Sequence, residues 1–338
     1  MDGVAVSEVV AWMLGRAPDS IHQVGGGGNN RLFRIDCGDA AYALKYYPAD
    51  SRDRLGAEFA FLRFLASNGI DSVPRAIASA PDERVALYQW IDGVRPDALE
   101  PDELGAVFDF IGRLDDLREP ARAAALPPAS AACLTYGAAF EQLQQRLHTL
   151  AQYADNHPGL AEFLDGAIRP ARDACRDVYV ALLDGAGLRL QDALPREAWF
   201  LSPSDFGLHN MLRAHDGRLF FLDFEYAGWD DPAKFICDFV LHPGSEFSTQ
   251  TQTKLLRWGH ARFSPQDPTF ALRLRGLIGA FGLIWCLIML NVFIPEYWQR
   301  RQHAGQRGER DAVQQRQLRR AQQLYTQLRE VMNVCQSL

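Results

Sequence analysis

Asp205, Asn210 five residues on, and Asp223 beyond a turn stand at spacings that chemistry can use. The stretch 202–210 reads Ser-Pro-Ser-Asp-Phe-Gly-Leu-His-Asn, and Leu222-Asp223-Phe224-Glu225 follows after Asp216-Gly217. An Asp-Gly pair between apolar runs signals a hairpin, because both residues tolerate positive φ. With a two-residue turn, Leu219 faces Ala214, Phe221 faces Leu212, and Asn210 falls opposite Asp223. Cross-strand Cβ atoms lie about 5 Å apart. An amide oxygen and a carboxylate would then meet at the open end of the hairpin, with Asp205 in the loop that feeds it. One carboxylate orients and deprotonates a hydroxyl, while the Asn and the second Asp hold Mg²⁺ on nucleotide phosphates. That is the equipment of phosphoryl transfer. Asp and Asn beside glycine are also ordinary turn formers, but the hairpin register favours the catalytic reading.

A nucleotide needs a phosphate cradle, and Gly25-Gly26-Gly27-Gly28-Asn29-Asn30 lies between two strand patterns. The dinucleotide fingerprint is excluded, because there a helix must follow the glycines. Backbone free of side chains can instead fold over a triphosphate between two strands, which makes Gly25, Gly26, Gly27, Gly28 and Asn29 candidate nucleotide contacts. Lys45 sits among apolar neighbours on the next strand but one. A half-buried ammonium requires an anionic partner, and Glu58 on the following helix is the natural one. Gln89, Trp90 and Ile91 end the last strand of this region, where their backbone groups could meet an adenine edge.

The elements that must position these residues are legible in the periodicity. A short amphipathic helix over 7–14 precedes strands at 21–25, 31–37 and 41–47. A helix capped by Ser51 runs to Ser67, and strands follow at 76–79 and 85–90. The remainder patterns as helices over 102–114, 138–153, 160–184, 251–262, 269–293 and 309–334, interrupted by the hairpin. The expected class is α+β, with a five-stranded antiparallel sheet and one main helix in residues 1–92, and a larger, mainly helical part in residues 93–338.

At 338 residues the chain can bury two sizeable cores. A net charge of −7 argues against a dedicated nucleic-acid binder. The six cysteines are scattered, without zinc spacing, which together with the absence of a visible export signal reads as cytoplasmic. Residues 277–294 are nearly long and apolar enough to approach a membrane span. The expectation is a buried core helix that packs Phe281 and Trp285 inside, with no membrane role.

Taken together, the glycine-rich hairpin, Lys45, Asp205 with Asn210, and 222–228 leading through Asp231-Pro232 to Asp238 resemble the aminoglycoside phosphotransferase and choline kinase family. The resemblance covers residues 20–330 and is densest over 199–240. It implies a bilobal protein-kinase-like fold, ATP and Mg²⁺, and transfer to a hydroxyl of a small polar molecule by a monomer or dimer. Asp223-x-Glu225 is similar to the metal motif of methylthioribose kinases, which adds Glu225 to Asn210 and Asp223 as a metal residue. The family loop reads His-Gly-Asp where this chain has Pro203-Ser204-Asp205. That departure supports one alternative, a catalytically impaired pseudokinase that binds nucleotide or acts as a scaffold. Acidic side chains at Glu225, Asp230, Asp231 and Glu296 would favour a cationic acceptor.

Overall fold

The computed structural model describes residues 3–25, 31–49, 52–303 and 309–338. In chain order, α1 (Gly3–Leu14) is followed by β1 (Ser20–Val24), β2 (Arg31–Cys37), β3 (Ala40–Tyr46) and α2 (Arg54–Ser67). Next come β4 (Ala76–Ala80), β5 (Val85–Gln89), β6 (Gly93–Val94), α3 (Pro101–Asp116) and α4 (Arg118–Ala123). The middle of the chain holds α5 (Ala138–Ala151), α6 (Pro158–Phe163), α7 (Arg169–Gly185), β7 (Phe200–Ser202), β8 (Met211–Ala214), β9 (Leu219–Phe221) and β10 (Gly228–Asp230). Five helices complete it: α8 (Pro232–Leu241), α9 (Thr249–Phe263), α10 (Phe270–Met289), α11 (Pro295–His303) and α12 (Arg310–Gln336).

The chain forms two compact units. Residues 1–130 and the hairpin segment 208–228 belong to the first; residues 131–207, 229–299 and 308–338 form the second. By packing, α3, α4 and the hairpin therefore go with the sheet, whereas the sequence pattern suggests a cut after residue 92.

In the first unit the sheet runs β1-β2-β3-β5-β4, antiparallel at each pairing, as the alternation predicts. Phe33, Ile35 and Cys37 of β2 point one way and are buried. They close on Val6 and Val10 of α1 and on Leu44, Val85 and Leu87. Helix α2 starts later than its sequence suggests: the Asp53 carboxylate caps it by accepting from Gly56 N–H at 2.8 Å. Ser51, the expected cap, lies outside the described residues.

In the second unit α10 is the central element, packed by α5, α7, α8 and α12. It is apolar and long enough to cross a membrane, yet 89% of its most apolar window is buried inside the protein. Its glycines let neighbours approach closely. A Cβ on Gly276 would stand 2.2 Å from Tyr179 Cδ2, and one on Gly282 would stand 2.3 Å from Leu328 Cδ1. The helix expected over 160–184 is interrupted by a π turn at Leu164–Ile168. Pro170 lacks the N–H that a regular ladder needs and crowds the preceding turn. Two buried ion clusters tie α8 in place. Lys234 lies 2.8 Å from Asp230 and 3.0 Å from Asp238, and Arg273 reaches Asp231 at 2.9 Å and Asp267 at 2.6 Å. Asp230 and Asp231 are thus committed to structural cations and do not draw in a charged acceptor, contrary to the sequence-based expectation.

Because Tyr179 is fully buried, its ring cannot swing clear of a new methyl group. Gly276→Ala should destabilise the protein by about 1–3 kcal/mol through overpacking, read as a lower urea midpoint at unchanged m-value.

Candidate active site

Lys45 pairs with Leu32 on one side and Ala86 on the other, so its side chain leaves the sheet between two apolar neighbours. Its Nζ lies 2.6 Å from Glu58 Oε2, 2.6 Å from Asp223 Oδ1 and 3.5 Å from Glu225 Oε2. Burial works against that charge, but Asp223, Glu58 and Glu225 together hold its pKa well above the ordinary lysine value. The expected partnership with Glu58 is therefore present, and it is tighter than a pair. Glu58 also accepts from Tyr47 Oη at 2.6 Å and from the Phe224 N–H at 3.2 Å. Glu58 thus fixes both the lysine and the strand exit.

The hairpin differs by one residue from the predicted register. Met211 pairs with Phe221, Leu212 with Phe220 and Arg213 with Leu219. The loop has three residues, His215-Asp216-Gly217, closed by Gly217 N–H to Ala214 O at 3.0 Å and Ala214 N–H to Arg218 O at 2.9 Å. A two-residue type I′ turn needs positive φ at both of its positions, but in this loop Gly217 alone has it, at +85°. Asp216 instead accepts from the Arg218 N–H at 3.1 Å. Asn210 consequently lies opposite Leu222, whose N–H donates to its carbonyl at 2.9 Å, and does not face Asp223 across the ladder. A one-residue slip should turn Asp223 to the wrong face. However, β9 has ended, and Asp223 adopts φ +65°, a left-handed bend that Asp tolerates better than most residues. That bend accompanies the approach of its carboxylate to Lys45.

Glu225 is buried, with Arg54 Nη1 at 2.7 Å on its other oxygen. Arg54 also bonds the Tyr226 hydroxyl and lies over its ring. Carboxylate oxygens of Glu58, Asp223 and Glu225 fall within 4.8 Å of one another. These are hard donors of the kind that Mg²⁺ requires, so the residues fit such an ion. Glu58 is tied to Lys45, Tyr47 and the Phe224 N–H, so Asp223 and Glu225, which lie beyond the hairpin, are the carboxylates that would hold it. Asp223 itself is held up at about pH 6 by its enclosure and by Glu58 and Glu225, against the pull of Lys45.

Asp205 belongs to the second unit and leaves β7 through a tight loop. The Ser204 N–H donates to Ser202 Oγ at 3.0 Å, and Ser204 takes φ +67°. Phe206 then anchors the loop against Phe235 and Phe239 of α8. Asp205 Oδ1 lies 3.2 Å from His242 Nε2, a partner for which nothing in the local sequence gives a signal. Arg54 and Tyr47 were equally invisible, since their partners come from remote segments.

The remaining expectations fall at the sheet's edges. Gly25 is exposed just after β1; Gly26, Gly27, Gly28 and Asn29 lie outside the described residues. Gln89 N–H donates to Arg75 O and Trp90 N–H to Ala41 O, so these two donors are spent within the sheet. Trp90 Nε1 donates to Asp92.

A strand lysine clamped by a helix glutamate and by an Asp beyond a hairpin, in a chain that also carries a helical unit, defines the α+β fold of protein-kinase-like proteins. A model of the phosphotransferase enzyme family, APH, matches residues 20–257, and the chain belongs to that family. It is a small-molecule kinase. Solved structures agree on the fold. Spectinomycin phosphotransferase APH(9)-Ia, in complex with ADP and spectinomycin, is 10% identical with a TM-score of 0.61, over 96% of this chain and 98% of that one. Choline kinase from Cryptosporidium parvum Iowa II is 13% identical with a TM-score of 0.58, over 96% and 100%. Choline kinase LicA from Streptococcus pneumoniae is 14% identical with a TM-score of 0.56, over 96% and 98%. No match was found among curated protein sequences.

Backbone geometry and charge each give a measurable consequence. Ser204 bears a left-handed conformation that costs an L-residue about 1–2 kcal/mol, partly offset in glycine by a larger unfolded-state entropy. Ser204→Gly should therefore raise stability by up to about 1 kcal/mol in urea unfolding. For Asp223, the folded chain keeps a proton that the unfolded chain releases between its ordinary 3.8 and about 6. The folded state thus binds more protons in that window, and this carboxyl subtracts stability as pH rises through it. Asp223→Asn should be destabilised at pH 4 by the loss of a Lys45 partner, and its deficit against the metal-free wild type should shrink by on the order of 1 kcal/mol between pH 4 and pH 7, once partial exposure is allowed for.

Proposed function

We propose that the protein transfers the γ-phosphoryl group of ATP, with Mg²⁺, to a hydroxyl of a small polar molecule such as an aminoglycoside, choline or a sugar. The observation that carries this reading is the convergence of Lys45, Glu58, Asp223 and Glu225. A buried ammonium surrounded by carboxylates is a costly arrangement for stability alone. It is useful where a phosphate and a divalent cation must be received side by side.

In this reading Lys45 takes the α- and β-phosphates, and Glu58 keeps its ammonium from turning away. The glycine segment from Gly25 to Gly28, with Asn29, covers the phosphates through backbone amides. Ile91 N–H and the carbonyls of Gln89 and Trp90 meet the base. Asp223 and Glu225, with the Asn210 amide oxygen, hold Mg²⁺. When bound, that ion neutralises charge on the phosphate oxygens. Asp205 accepts a hydrogen bond from the acceptor hydroxyl, aims its oxygen and takes its proton as the new O–P bond forms and the Pγ–O bond to the departing ADP breaks. Residues 1–92 serve the nucleotide and residues 93–338 the acceptor and the chemistry, in a cytoplasmic monomer or dimer without a nucleic-acid or membrane partner.

The test separates the two carboxylates. Asp205→Asn should leave MgATP binding within about twofold while lowering transfer by about 100-fold or more, since it removes only proton acceptance and aim. Asp223→Asn should weaken MgATP binding itself, because it subtracts charge from a divalent site. Calorimetric titration of MgATP and an ADP-release screen over amines, sugars and aminoglycosides supply both readouts. A wild type that binds MgATP yet transfers to no acceptor, and is indifferent to both changes, would overturn the proposal.

A further inference from the structure

We infer that His242 is a positioning residue for Asp205: a neutral imidazole, protonated on Nε2, that donates to the carboxylate and fixes its aim. The inference rests on the role proposed for Asp205 and adds a residue that the reading above does not contain. His242 directly follows α8 and stands before Pro243 and Gly244. A residue before proline is confined to extended backbone, and His242 has φ −60° and ψ 120°. The chain therefore leaves the helix at a fixed angle and turns so that the Gly244 N–H donates to His242 Nδ1 at 3.0 Å.

That hydrogen bond decides the tautomer. A backbone N–H can only donate, so Nδ1 must offer its lone pair, and the ring proton of the neutral imidazole sits on Nε2. Nε2 is the nitrogen that lies 3.2 Å from Asp205 Oδ1. The ring plane is set from the side as well: the Trp285 indole of α10 meets it in a T-shaped contact, with centroids 4.4 Å apart and planes at 71°. The His242 side chain is 10% exposed, against 33% for Asp205. One partner is thus embedded in the unit's framework while the other reaches toward solvent.

The direction of the proton follows from this. With Nε2 already protonated, His242 cannot accept the proton that Asp205 takes from a hydroxyl unless the Gly244 bond is first broken. It is an orienting donor and not a relay. A donor held on Oδ1 fixes the plane of the carboxylate and so the direction in which it meets the acceptor. It also replaces a water that would otherwise solvate the carboxylate and let it rotate. Such misplacement of a reacting group costs about 10- to 100-fold in rate.

Two variants and one spectrum test this. His242→Gln can still present an N–H to Asp205, whereas His242→Phe keeps a ring against Trp285 and removes the donor. With MgATP and the best acceptor of the screen, or water as acceptor, His242→Phe should lower kcat by about 10- to 100-fold. Its KM for MgATP should stay within about twofold and its Tm close to that of wild type, while His242→Gln should recover most of the rate. Undiminished kcat in His242→Phe, or equal losses in the two variants, overturns the inference. Independently of turnover, long-range ¹H–¹⁵N spectra of the imidazoles should show the Nε2–H tautomer for His242, with a shift that moves in Asp205→Asn. An Nδ1–H tautomer, or a signal indifferent to that change, also overturns it. Absence of any wild-type turnover would instead bring down the phosphoryl-transfer reading, which keeps the two failures apart.

Discussion

The first unit is organised around the buried charge of Lys45. Lys45 stands on a strand whose neighbours are apolar, and its ammonium is compatible with that place only because Glu58, Asp223 and Glu225 converge on it. Each of them is delivered by a different device. Glu58 comes from a helix whose start is set by the Asp53 cap, Asp223 from a left-handed residue just past β9, and Glu225 from a segment stapled by Arg54. Removing any of these devices leaves the lysine under-compensated. The electrostatics of the site and the packing of the hairpin against α2 are one constraint, and Phe224, stacked on Phe61 at 5.3 Å, closes it with apolar contact.

The second unit solves a different problem. Its core helix is almost wholly apolar and so gives no preferred direction for packing; orientation comes from shape and from ions. Glycines on α10 admit Tyr179 and Leu328 at near-backbone distance. The Arg273 and Lys234 clusters pin α8, which in turn carries the Phe206 anchor and ends at His242. The position of the Asp205 loop is thus inherited from the least polar and the most highly charged parts of the same unit.

Much of this was legible in the sequence for a physical reason. Strand alternation has a period of two that survives without any tertiary information, and a lysine among apolar neighbours announces the need for an anion. The hairpin register differs by one from the expected one because Asp-Gly is compatible with two loop lengths, and the choice between them depends on the φ of Asp216. Helix α8 left little trace because nine of its ten residues are buried, and its one polar stripe, Lys234 and Asp238, is a buried ion pair and not a solvated face. Arg54 and His242 were hidden for another reason: their partners are supplied by remote segments, and neither residue has an unusual local setting.

The burial of α10 has a consequence for how the chain is made. Leu328 and Met332, which cover Gly282 and Gly279, lie on α12, which leaves the ribosome after α10. Until α12 emerges, one flank of a helix as oily as a membrane span has no cover, and such transient surfaces attract other nascent chains and chaperones. The arginine- and glutamine-rich faces of α12 are soluble escorts in that sense: they bring a narrow apolar seam to α10 without adding to the hydrophobic load of the unfinished chain. Emergence of α12 is then the step at which this flank of α10 passes from bare to covered.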